Sequence, residues 1–466
     1  MTLTKANQYV EKNKHKVNPI YRLKYHAMPE FGWMNDPNGL VFYRGEYHIF
    51  YQHHPYDSVW GPMHWGHMSS KDLVSFRHLP IALAPDQENE TGCFSGGAIV
   101  NQKDPNQLHL FYTKHYDKNG IIIETQGLAT TQDGIHFVKD EKPIIDENLI
   151  YPHGSVKDTR DPFPFYENGY YYVILGSKDN QDQGKFLIYR SKDLKNFSYY
   201  DEIVDSIMKD SMAECPDLVR FNDDDLFLFS RIDFLKNKHR NVSEYFIGHF
   251  DIENKRYDYT YQGLIDSGHH FYAPQTLRDD KNRVIMLAWM EMWGHPYVTH
   301  TLEHGWQGAL TFPRELKIIN QQLIQYPIEE IKNYRQKSVN LSNGIIVEKC
   351  FDLEIESLNK PFSLRLSNSN DSNNYLEIGY ENSKFYIDGH KLHVNPLEKK
   401  VSKKQFNTIK LRILVDYSSI EIFINDGIET FTSRIYIESH TIKLITTGYV
   451  KGQLYPLKME GENSHD

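Results

Sequence analysis

Cysteine is scarce in this chain, with only 3 such residues among 466. Cys93, Cys215 and Cys350 lie far apart and show none of the close spacings that bind zinc or build a disulfide framework. This scarcity favours a reducing compartment. We predict no metal site and no cofactor.

Long apolar segments are also missing. A membrane-spanning helix needs about 20 consecutive apolar residues, and no run in this sequence approaches that length. The N-terminal segment lacks the apolar stretch of a secretory signal. We therefore expect a soluble, cytoplasmic protein without a membrane partner.

Positive charge is not in excess, because the formal net charge is -10. Nucleic-acid-binding proteins present basic stripes, so we expect no nucleic-acid partner. No glycine loop resembles a P-loop and no hydroxyl stands in a nucleophile elbow, which excludes nucleotide enzymes and serine hydrolases. Aromatic residues make up 14% of the chain, a bias typical of β-strands and of surfaces that stack on sugar rings.

Length and hydrophobic content indicate two domains, and the first contains a repeat. Strand-like apolar runs bounded by turn residues recur about every 60 residues, a period typical of radial or stacked units. The runs are Tyr47–Gln52, Leu108–Thr113, Tyr171–Gly176, Leu226–Arg231 and Val284–Trp289. Each of the first three runs is followed by an Asp that lies four residues before a Phe. These residues are Asp72, Asp133 and Asp193.

Units of this length without helical periodicity are best interpreted as four-stranded sheets, and a ring of five such sheets is a five-bladed β-propeller. We predict this domain over residues 1–325, with an ordinary sandwich as the alternative. A linker helix is predicted over 326–345, where Pro327 would occupy the first turn. Alternating apolar residues then predict a C-terminal β-sandwich over 346–466, so the fold class is all-β.

A polar or aromatic motif precedes each repeated run by 10 to 13 residues. The motifs contain Asp36, Ser95, Asp161, Glu214 and Tyr272. An isolated acid is usually a solvated or capping side chain. Equivalent positions in the blades of a propeller converge on its axis, however, so we expect the three carboxylates to face one another. Paired carboxylates are the usual apparatus of glycoside hydrolysis.

The segments WMNDPNGL, WGPMHWGH, FSGG, RDP, ECPD, FYAPQ and GWQGALTFPREL resemble glycoside hydrolase family 32, which contains the invertases and sucrose-6-phosphate hydrolases. DYSSIEIFINDGIETFTSRIY resembles the C-terminal sandwich of that family, so the resemblance spans the chain. It implies a retaining β-fructofuranosidase with Asp36 as nucleophile and Glu214 as general acid/base. Asp161 would hold the fructose hydroxyls.

The same resemblance implies further residues of the fructose pocket. They are Trp33, Asn35, Gln52, Trp60, Phe94, Ser95, Arg160 and Tyr272. The aromatic residues could equally pack between blades. Two departures stand out: Gly97 replaces the more common serine, and His269-His270 stand where an acidic residue is usual, which puts local pocket contacts in doubt. We interpret the paired histidines as structural or pocket-edge residues.

The expected partner is a small carbohydrate. We favour sucrose 6-phosphate, with sucrose or short fructo-oligosaccharides as the alternatives, and the sequence does not identify the residues that would bind the phosphate. A non-catalytic fructan-binding propeller is the rival from another class. The sandwich carries no aligned acid motif, so we expect it to pack against the propeller or to mediate a homo-oligomer.

Overall fold

The computed structural model of the protein describes residues 1–236 and 238–459. Its secondary structure is almost entirely β, which confirms the predicted all-β class. The α-helices within these ranges are α1 (Leu3–Asn13), α2 (Glu147–Ile150) and α3 (Val298–Thr301), and 3-10 helices cover Lys14–Lys16 and Glu329–Tyr334. Across this described part of the chain, no helix combines the length and apolarity required to cross a bilayer.

Five antiparallel sheets occupy most of the first 330 residues. Sheet 1 contains β1 (Gly32–Tyr43), β2 (Glu46–His54), β3 (His64–Ser70) and β4 (Arg77–Leu83). Sheet 2 contains β5 (Gly92–Val100), β6 (Leu108–Lys118), β7 (Ile121–Thr131) and β8 (Val138–Lys139). Sheet 3 contains β9 (Arg160–Glu167), β10 (Tyr170–Lys178), β11 (Gln183–Ser191) and β12 (Ser198–Lys209).

The last two sheets of this part follow the same order. Sheet 4 contains β13 (Ser211–Arg220), β14 (Asp225–Leu235), β15 (Lys238–Asp251) and β16 (Arg256–Leu264). Sheet 5 contains β17 (Tyr272–Arg278), β18 (Val284–Trp289), β20 (Arg314–Ile319) and β21 (Gln322–Pro327). The short strand β19 (Trp306–Gln307) lies in sequence between β18 and β20 of sheet 5, but it pairs in parallel with β1 as a fifth strand of sheet 1.

The first strands of the five sheets lie side by side in a closed series. Strand β1 neighbours β5, β5 neighbours β9, β9 neighbours β13, β13 neighbours β17, and β17 returns to β1. Strand β19 ties the end of this series back to its beginning. The series therefore brings residues that are distant in sequence to one centre.

The second strand of each sheet is buried on both faces, which explains its long apolar run. In β14, Phe227 and Phe229 pack in the core shared with sheet 3, whereas Leu226 and Leu228 pack in the core shared with sheet 5. Because successive side chains of a strand point to opposite faces, one strand contributes to two cores. The five predicted runs all fall in these second strands, which confirms the repeat.

The repeated Asp forms the turn between the third and fourth strands of sheets 1 to 3. Each carboxylate accepts hydrogen bonds from the N–H groups two and three residues further on, as in an Asx-turn. These pairs of donors are Val74 and Ser75 for Asp72, Ile135 and His136 for Asp133, and Lys195 and Asn196 for Asp193. The shared motif is thus a turn signal and has no chemical role.

Two six-stranded sheets follow and share one apolar core. Sheet 6 contains β22 (Val339–Asn340), β33 (Gly452–Pro456), β24 (Cys350–Leu358), β29 (Ile409–Asp416), β30 (Ser419–Ile424) and β31 (Glu429–Arg434). Sheet 7 contains β23 (Ile345–Glu348), β32 (Thr441–Thr447), β25 (Phe362–Asn368), β26 (Tyr375–Glu381), β27 (Lys384–Gly389) and β28 (Leu397–Val401). We call them the C-terminal sheet pair.

The interval 326–345 differs from the predicted linker helix. Strand β21 extends to Pro327, and the helical part is the single 3-10 helix Glu329–Tyr334. Strand β22 in the same interval already pairs with β33 of sheet 6. Only a short connection therefore separates sheet 5 from the C-terminal sheet pair.

A buried ionic network joins the C-terminal sheet pair to the five-sheet series. The His26 imidazole contacts Asp416 through Nδ1 at 2.7 Å and Glu421 through Nε2 at 2.9 Å. Arg314 donates to Glu421 at 2.6 Å and to Asp266 at 3.0 Å. Burial lowers the pKa of His26, but the bonds to the two carboxylates outweigh it and raise that pKa overall.

Candidate active site

The first strand of every sheet in the series is bulged where a predicted site motif lies. The irregular pairings fall within Met34–Pro37, Phe94–Gly96, Arg160–Phe163, Glu214–Asp217 and Tyr272–Gln275. A bulge places an extra residue outside the ladder and re-aims its side chain. The five bulges direct their side chains toward one cavity.

When the first strands are aligned by their bulges, one motif is shifted by one residue relative to the alignment expected from the sequence spacing. Asp161, Cys215 and Ala273 each precede proline and have positive φ angles of 63°, 47° and 51°. Glu214 therefore corresponds to Arg160 and not to Asp161. The sequence interpretation treated Asp36, Asp161 and Glu214 as equivalent positions, and the structure corrects this by one residue. The variable spacing of 10 to 13 residues concealed the shift.

The bulged strands surround a cavity of about 770 Å³ at the centre of the series. Ten of the eleven predicted site residues line it, namely Asn35, Asp36, Gln52, Trp60, Phe94, Ser95, Arg160, Asp161, Glu214 and Tyr272. Its wall also includes His115, Glu124, Lys157, Lys238, Asn241 and Trp293, among others. The three carboxylates thus face a common space of a size that suits a small ligand.

Asp36 is half-buried and held by two donors. Ser95 Oγ donates to Asp36 Oδ2 at 2.7 Å from sheet 2, and Asn35 Nδ2 donates to Oδ1 at 3.0 Å. Burial raises the pKa of Asp36 to about 6, against the lowering effect of these two bonds, and the charge of Glu214 adds to the rise. The carboxylate is therefore mostly ionised at neutral pH and fixed in orientation.

Glu214 is held from both neighbouring sheets. Arg160 Nε of sheet 3 donates to Glu214 Oε1 at 3.0 Å, and Tyr272 of sheet 5 donates its hydroxyl to Oε2 at 2.6 Å. Asn241 Nδ2 in turn donates to the Tyr272 hydroxyl at 3.3 Å. Both oxygens of this carboxyl group are thus positioned by groups that are themselves fixed.

Glu124 is a functional candidate that the sequence reasoning missed. Its buried carboxylate accepts two bonds from Arg160 Nη1, at 3.0 and 3.2 Å, so one guanidinium bridges Glu124 and Glu214. His115 Nδ1 also contacts Glu124 at 3.2 Å, and its ring stacks on Phe94 at 3.9 Å between centroids. Glu124 stands in β7 outside any recognisable motif, so the sequence offered no signal for it.

Asp161 is buried between sheets 2, 3 and 4. Its Oδ2 accepts the backbone N–H of Cys215 at 2.9 Å and lies 3.4 Å from the Cys215 thiol, while its own N–H donates to Thr113 Oγ1 at 3.0 Å. Burial raises the pKa of Asp161 to about 7, the charges of Glu214 and Asp36 add to the rise, and Arg160 opposes it. Near neutral pH this carboxyl group can accept or donate a hydrogen bond to a ligand hydroxyl.

Trp33 was predicted to line the pocket, but it does not line the cavity. It is fully buried behind Asn35, to which its Nε1 donates at 2.7 Å, and it packs against Trp289 and Trp293. The indole therefore orients Asn35, which orients Asp36. Packing against other aromatic rings leaves no face of Trp33 open to a ligand.

The two tryptophans of the WGPMHWG segment have separate roles. Trp60 is 46% exposed at the mouth of the cavity and contacts the edge of Phe94. Trp65 is fully buried between sheets and donates its Nε1 to the carbonyl oxygen of Phe94 at 3.0 Å. One residue thus presents a ring to the cavity and the other packs in the core.

The two departures from the family pattern have structural explanations. A Cβ atom at Gly97 would lie 2.5 Å from Cδ of Pro164 in sheet 3, so a serine would collide there. His269 and His270 point away from the cavity and toward the C-terminal sheet pair. His269 contacts Ser433 Oγ at 2.8 Å, and His270 Nδ1 accepts the N–H of Arg434 at 3.0 Å. Neither histidine is among the residues that line the cavity.

Comparisons with known proteins agree with this geometry. A sequence profile described as "Glycosyl hydrolases family 32 N-terminal domain" matches residues 26–327, and one described as "Glycosyl hydrolases family 32 C terminal" matches residues 322–458. An Escherichia coli protein named sucrose-6-phosphate hydrolase is 34% identical over 434 residues, covering 88% of each chain. An E. coli raffinose invertase is 33% identical over 445 residues, covering 90% of each.

Solved structures show the same overall similarity. A sucrose-6-phosphate hydrolase from Lactobacillus gasseri superposes with a TM-score of 0.87 and 27% identity, covering 98% of this chain and 99% of the other. A β-fructofuranosidase from Bombyx mori superposes with a TM-score of 0.85 and 33% identity, covering 98% of both. The resemblance thus extends over both the five-sheet series and the C-terminal sheet pair.

Proposed function

Because this chain belongs to glycoside hydrolase family 32 and is a glycoside hydrolase, we propose that it cleaves the fructosyl bond of sucrose 6-phosphate and of sucrose with retention of configuration. The observation that carries the proposal is the pair of carboxyl groups on sheets 1 and 4 that face one cavity. Asp36 is bonded by neutral donors, whereas Glu214 lies between a guanidinium and a phenol. Different environments suit the two different roles that paired-acid hydrolysis requires.

In the first step, the Asp36 carboxylate attacks the anomeric carbon of the fructosyl unit. The bond from that carbon to the bridging oxygen breaks as Glu214 donates its proton to the leaving oxygen, and a fructosyl ester of Asp36 forms. Ser95 and Asn35 hold the Asp36 carboxylate in place, which lowers the entropic cost of reaching the reactive geometry.

In the second step, Glu214 accepts a proton from water as the water oxygen attacks the same carbon and the bond to Asp36 breaks. Two inversions restore the original configuration. Asp161 and Arg160 border the same cavity between the two acids, and we assign them to the fructosyl hydroxyls. Hydrogen bonds to these hydroxyls would tighten as positive charge develops in the sugar ring.

We also propose that the five sheets are the blades of a β-propeller and that the C-terminal sheet pair is a separate β-sandwich domain. The closed series of first strands and the strand β19 that ties sheet 5 to sheet 1 support the first assignment. The separate core of sheets 6 and 7 supports the second. The sandwich would begin near Val339, earlier than the boundary at 346 that the sequence suggested. We propose a cytoplasmic location.

Release of reducing sugar from sucrose and from sucrose 6-phosphate tests this function directly. We expect hydrolysis of both, abolished in Asp36→Asn and retained in Glu88→Gln, an exposed acid outside the cavity. A wild-type protein that binds these sugars without hydrolysing either would favour the fructan-binding alternative and overturn the proposal.

A further inference from the structure

Two exposed lysines stand in the wall of the cavity. Lys157 precedes β9 and Lys238 begins β15, and both are exposed side chains that line the cavity. Within residues 1–236 and 238–459, neither forms an ion pair. The other strongly basic side chain of the cavity, Arg160, is already shared between Glu124 and Glu214. One cavity of a chain with net charge -10 thus contains two cations that have no ion-pair partner in the described part of the chain.

These lysines lie on the leaving-group side of the proposed reaction. Lys238 belongs to sheet 4, which carries Glu214, and Lys157 lies three residues before Arg160 at the start of sheet 3. The nucleophile Asp36 lies on sheet 1. Because the general acid protonates the oxygen of the departing sugar, that sugar must lie next to Glu214 and hence near these two sheets.

The wall of the cavity is chemically asymmetric. Trp60 and Phe94 present aromatic rings from sheets 1 and 2, whereas Lys157, Lys238 and His239 come from sheets 3 and 4. Aromatic faces suit the apolar side of a sugar ring. Neutral sugar hydroxyls do not require two ammonium groups, so the cationic side indicates an anionic substituent on the sugar.

We propose that Lys157 and Lys238 bind the phosphate of the leaving hexose phosphate and give the enzyme its preference for sucrose 6-phosphate. This inference rests on the proposed function. A phosphomonoester carries about -1.5 to -2 charges at pH 7 and three acceptor oxygens, which two ammonium groups can bind.

The acidic residues nearby do not neutralise these lysines. Asp158 lines the cavity next to Lys157, but it accepts Ser155 Oγ at 2.8 Å and lies 3.6 Å from Lys178 Nζ. Asp117 also lines the cavity, but it lies near the end of β6 on sheet 2 and not on the sheets that carry the two lysines. The two ammonium groups therefore remain available to a dianion.

The test compares kcat/KM for sucrose 6-phosphate and sucrose in Lys157→Ala, Lys238→Ala and the double variant. Lys142→Ala is the control, because that lysine is exposed and lies outside the cavity. Loss of one charge-assisted bond should reduce kcat/KM for the phosphorylated sugar about tenfold, and the double variant should lose about 100-fold. Activity on sucrose should change less than about threefold. Lys157→Arg and Lys238→Arg, which keep the charge, should retain most of the preference.

Calorimetric titration of glucose 6-phosphate and glucose into the wild type and the double variant gives a second readout that needs no turnover. Tighter binding of glucose 6-phosphate by the wild type alone would support the inference. Equal losses on both substrates, or no loss on sucrose 6-phosphate, would overturn it while the glycosidase function stands. Hydrolysis of neither sugar by the wild type would instead overturn the proposed function, and the titration would still decide the role of the lysines.

Discussion

Ser95 donates its hydroxyl to Asp36 across 2.7 Å, and the two residues belong to neighbouring sheets. This bond lowers the pKa of Asp36, whereas burial raises it to about 6. The charge state of the proposed nucleophile thus depends on the contact between sheets 1 and 2. Arg160 and Tyr272 likewise donate from their own sheets to Glu214 of sheet 4.

The pH dependence of the reaction should report this contact. Asp36 must be ionised to attack, so kcat/KM of the wild type should fall as the pH drops below about 6. Ser95→Ala removes a bond that favours the ionised form, so the acid limb should move to higher pH. A profile measured from pH 4 to 9 on both proteins checks this. An acid limb that moves to lower pH in Ser95→Ala would contradict the assignment.

Glu124 should support catalysis although it lies outside every recognised motif. Glu124→Gln removes the negative charge of the carboxylate that orients Arg160. Arg160 in turn contacts Glu214. We expect kcat/KM, measured well below the melting temperature, to fall about tenfold or more, and the melting temperature to fall as well, because charge-assisted bonds are worth roughly 1.5–3 kcal/mol. Steady-state kinetics with a melting curve will test this. Wild-type kinetics in Glu124→Gln would show that Arg160 needs no second partner.

The sequence was most informative where a residue's role is local. The apolar runs predicted the second strands because each such strand is buried on both faces, and the motifs with Asp36, Asp161 and Glu214 predicted residues that border one cavity. The one-residue shift of Glu214 was not visible in the spacing to the next strand, because a bulge changes the register, and only the prolines after Asp161 and Cys215 indicated it.

Roles set by tertiary packing could not be predicted. Trp33 and Trp60 both stand in motifs, yet one is fully buried and the other is 46% exposed. His269 and His270 contact residues of the C-terminal sheet pair that lie more than 120 residues away in sequence. Lys157 and Lys238 become neighbours of the cavity only when sheets 3 and 4 stand side by side.

The C-terminal sheet pair should stabilise the protein without taking part in the reaction. Asp416 accepts the backbone N–H groups of Lys24 and Tyr25 and contacts His26, all from the segment that precedes sheet 1. Asp416→Ala should lower the free energy of unfolding by about 3–5 kcal/mol, as expected when a buried ion pair loses one partner. Below the unfolding temperature, kcat/KM should remain near the wild-type value. Lost activity with unchanged fold and oligomeric state would give Asp416 a direct role.

The same network should make stability depend on pH. The pKa of His26 is raised in the folded state, so its protonated form contributes stability that is complete below the unfolded value of about 6.5 and is lost as the pH rises through the folded pKa. Denaturant unfolding of wild type and His26→Gln between pH 6 and 9 should give a difference that shrinks with rising pH. His15→Gln, at an exposed histidine outside this network, is the control and should leave the trend of the wild type unchanged. A difference in the free energy of unfolding between wild type and His26→Gln that grows with pH would contradict a raised pKa of His26.

Substitution of Asp36 and substitution of Glu214 should have different effects on the hydrolysis of a substrate whose leaving group needs no proton. Fructosyl fluoride should still fructosylate Glu214→Ala, because fluoride departs without general-acid assistance, whereas Asp36→Asn should be slower than the wild type by more than about 10⁴-fold. On sucrose, Glu214→Ala should lose about 10²–10⁴-fold in kcat/KM. Equal losses of Glu214→Ala on both substrates would argue against its role as general acid.

The most direct test of the central claim is the mass and the product of Glu214→Ala treated with fructosyl fluoride. Double displacement predicts that a fructosyl ester accumulates on Asp36, because the base for the second step is missing, and that azide releases it as the β-linked fructosyl azide. Peptide mapping locates the adduct, and NMR gives the configuration of the product. An α-linked azide, or an adduct on a residue other than Asp36, would contradict double displacement through Asp36.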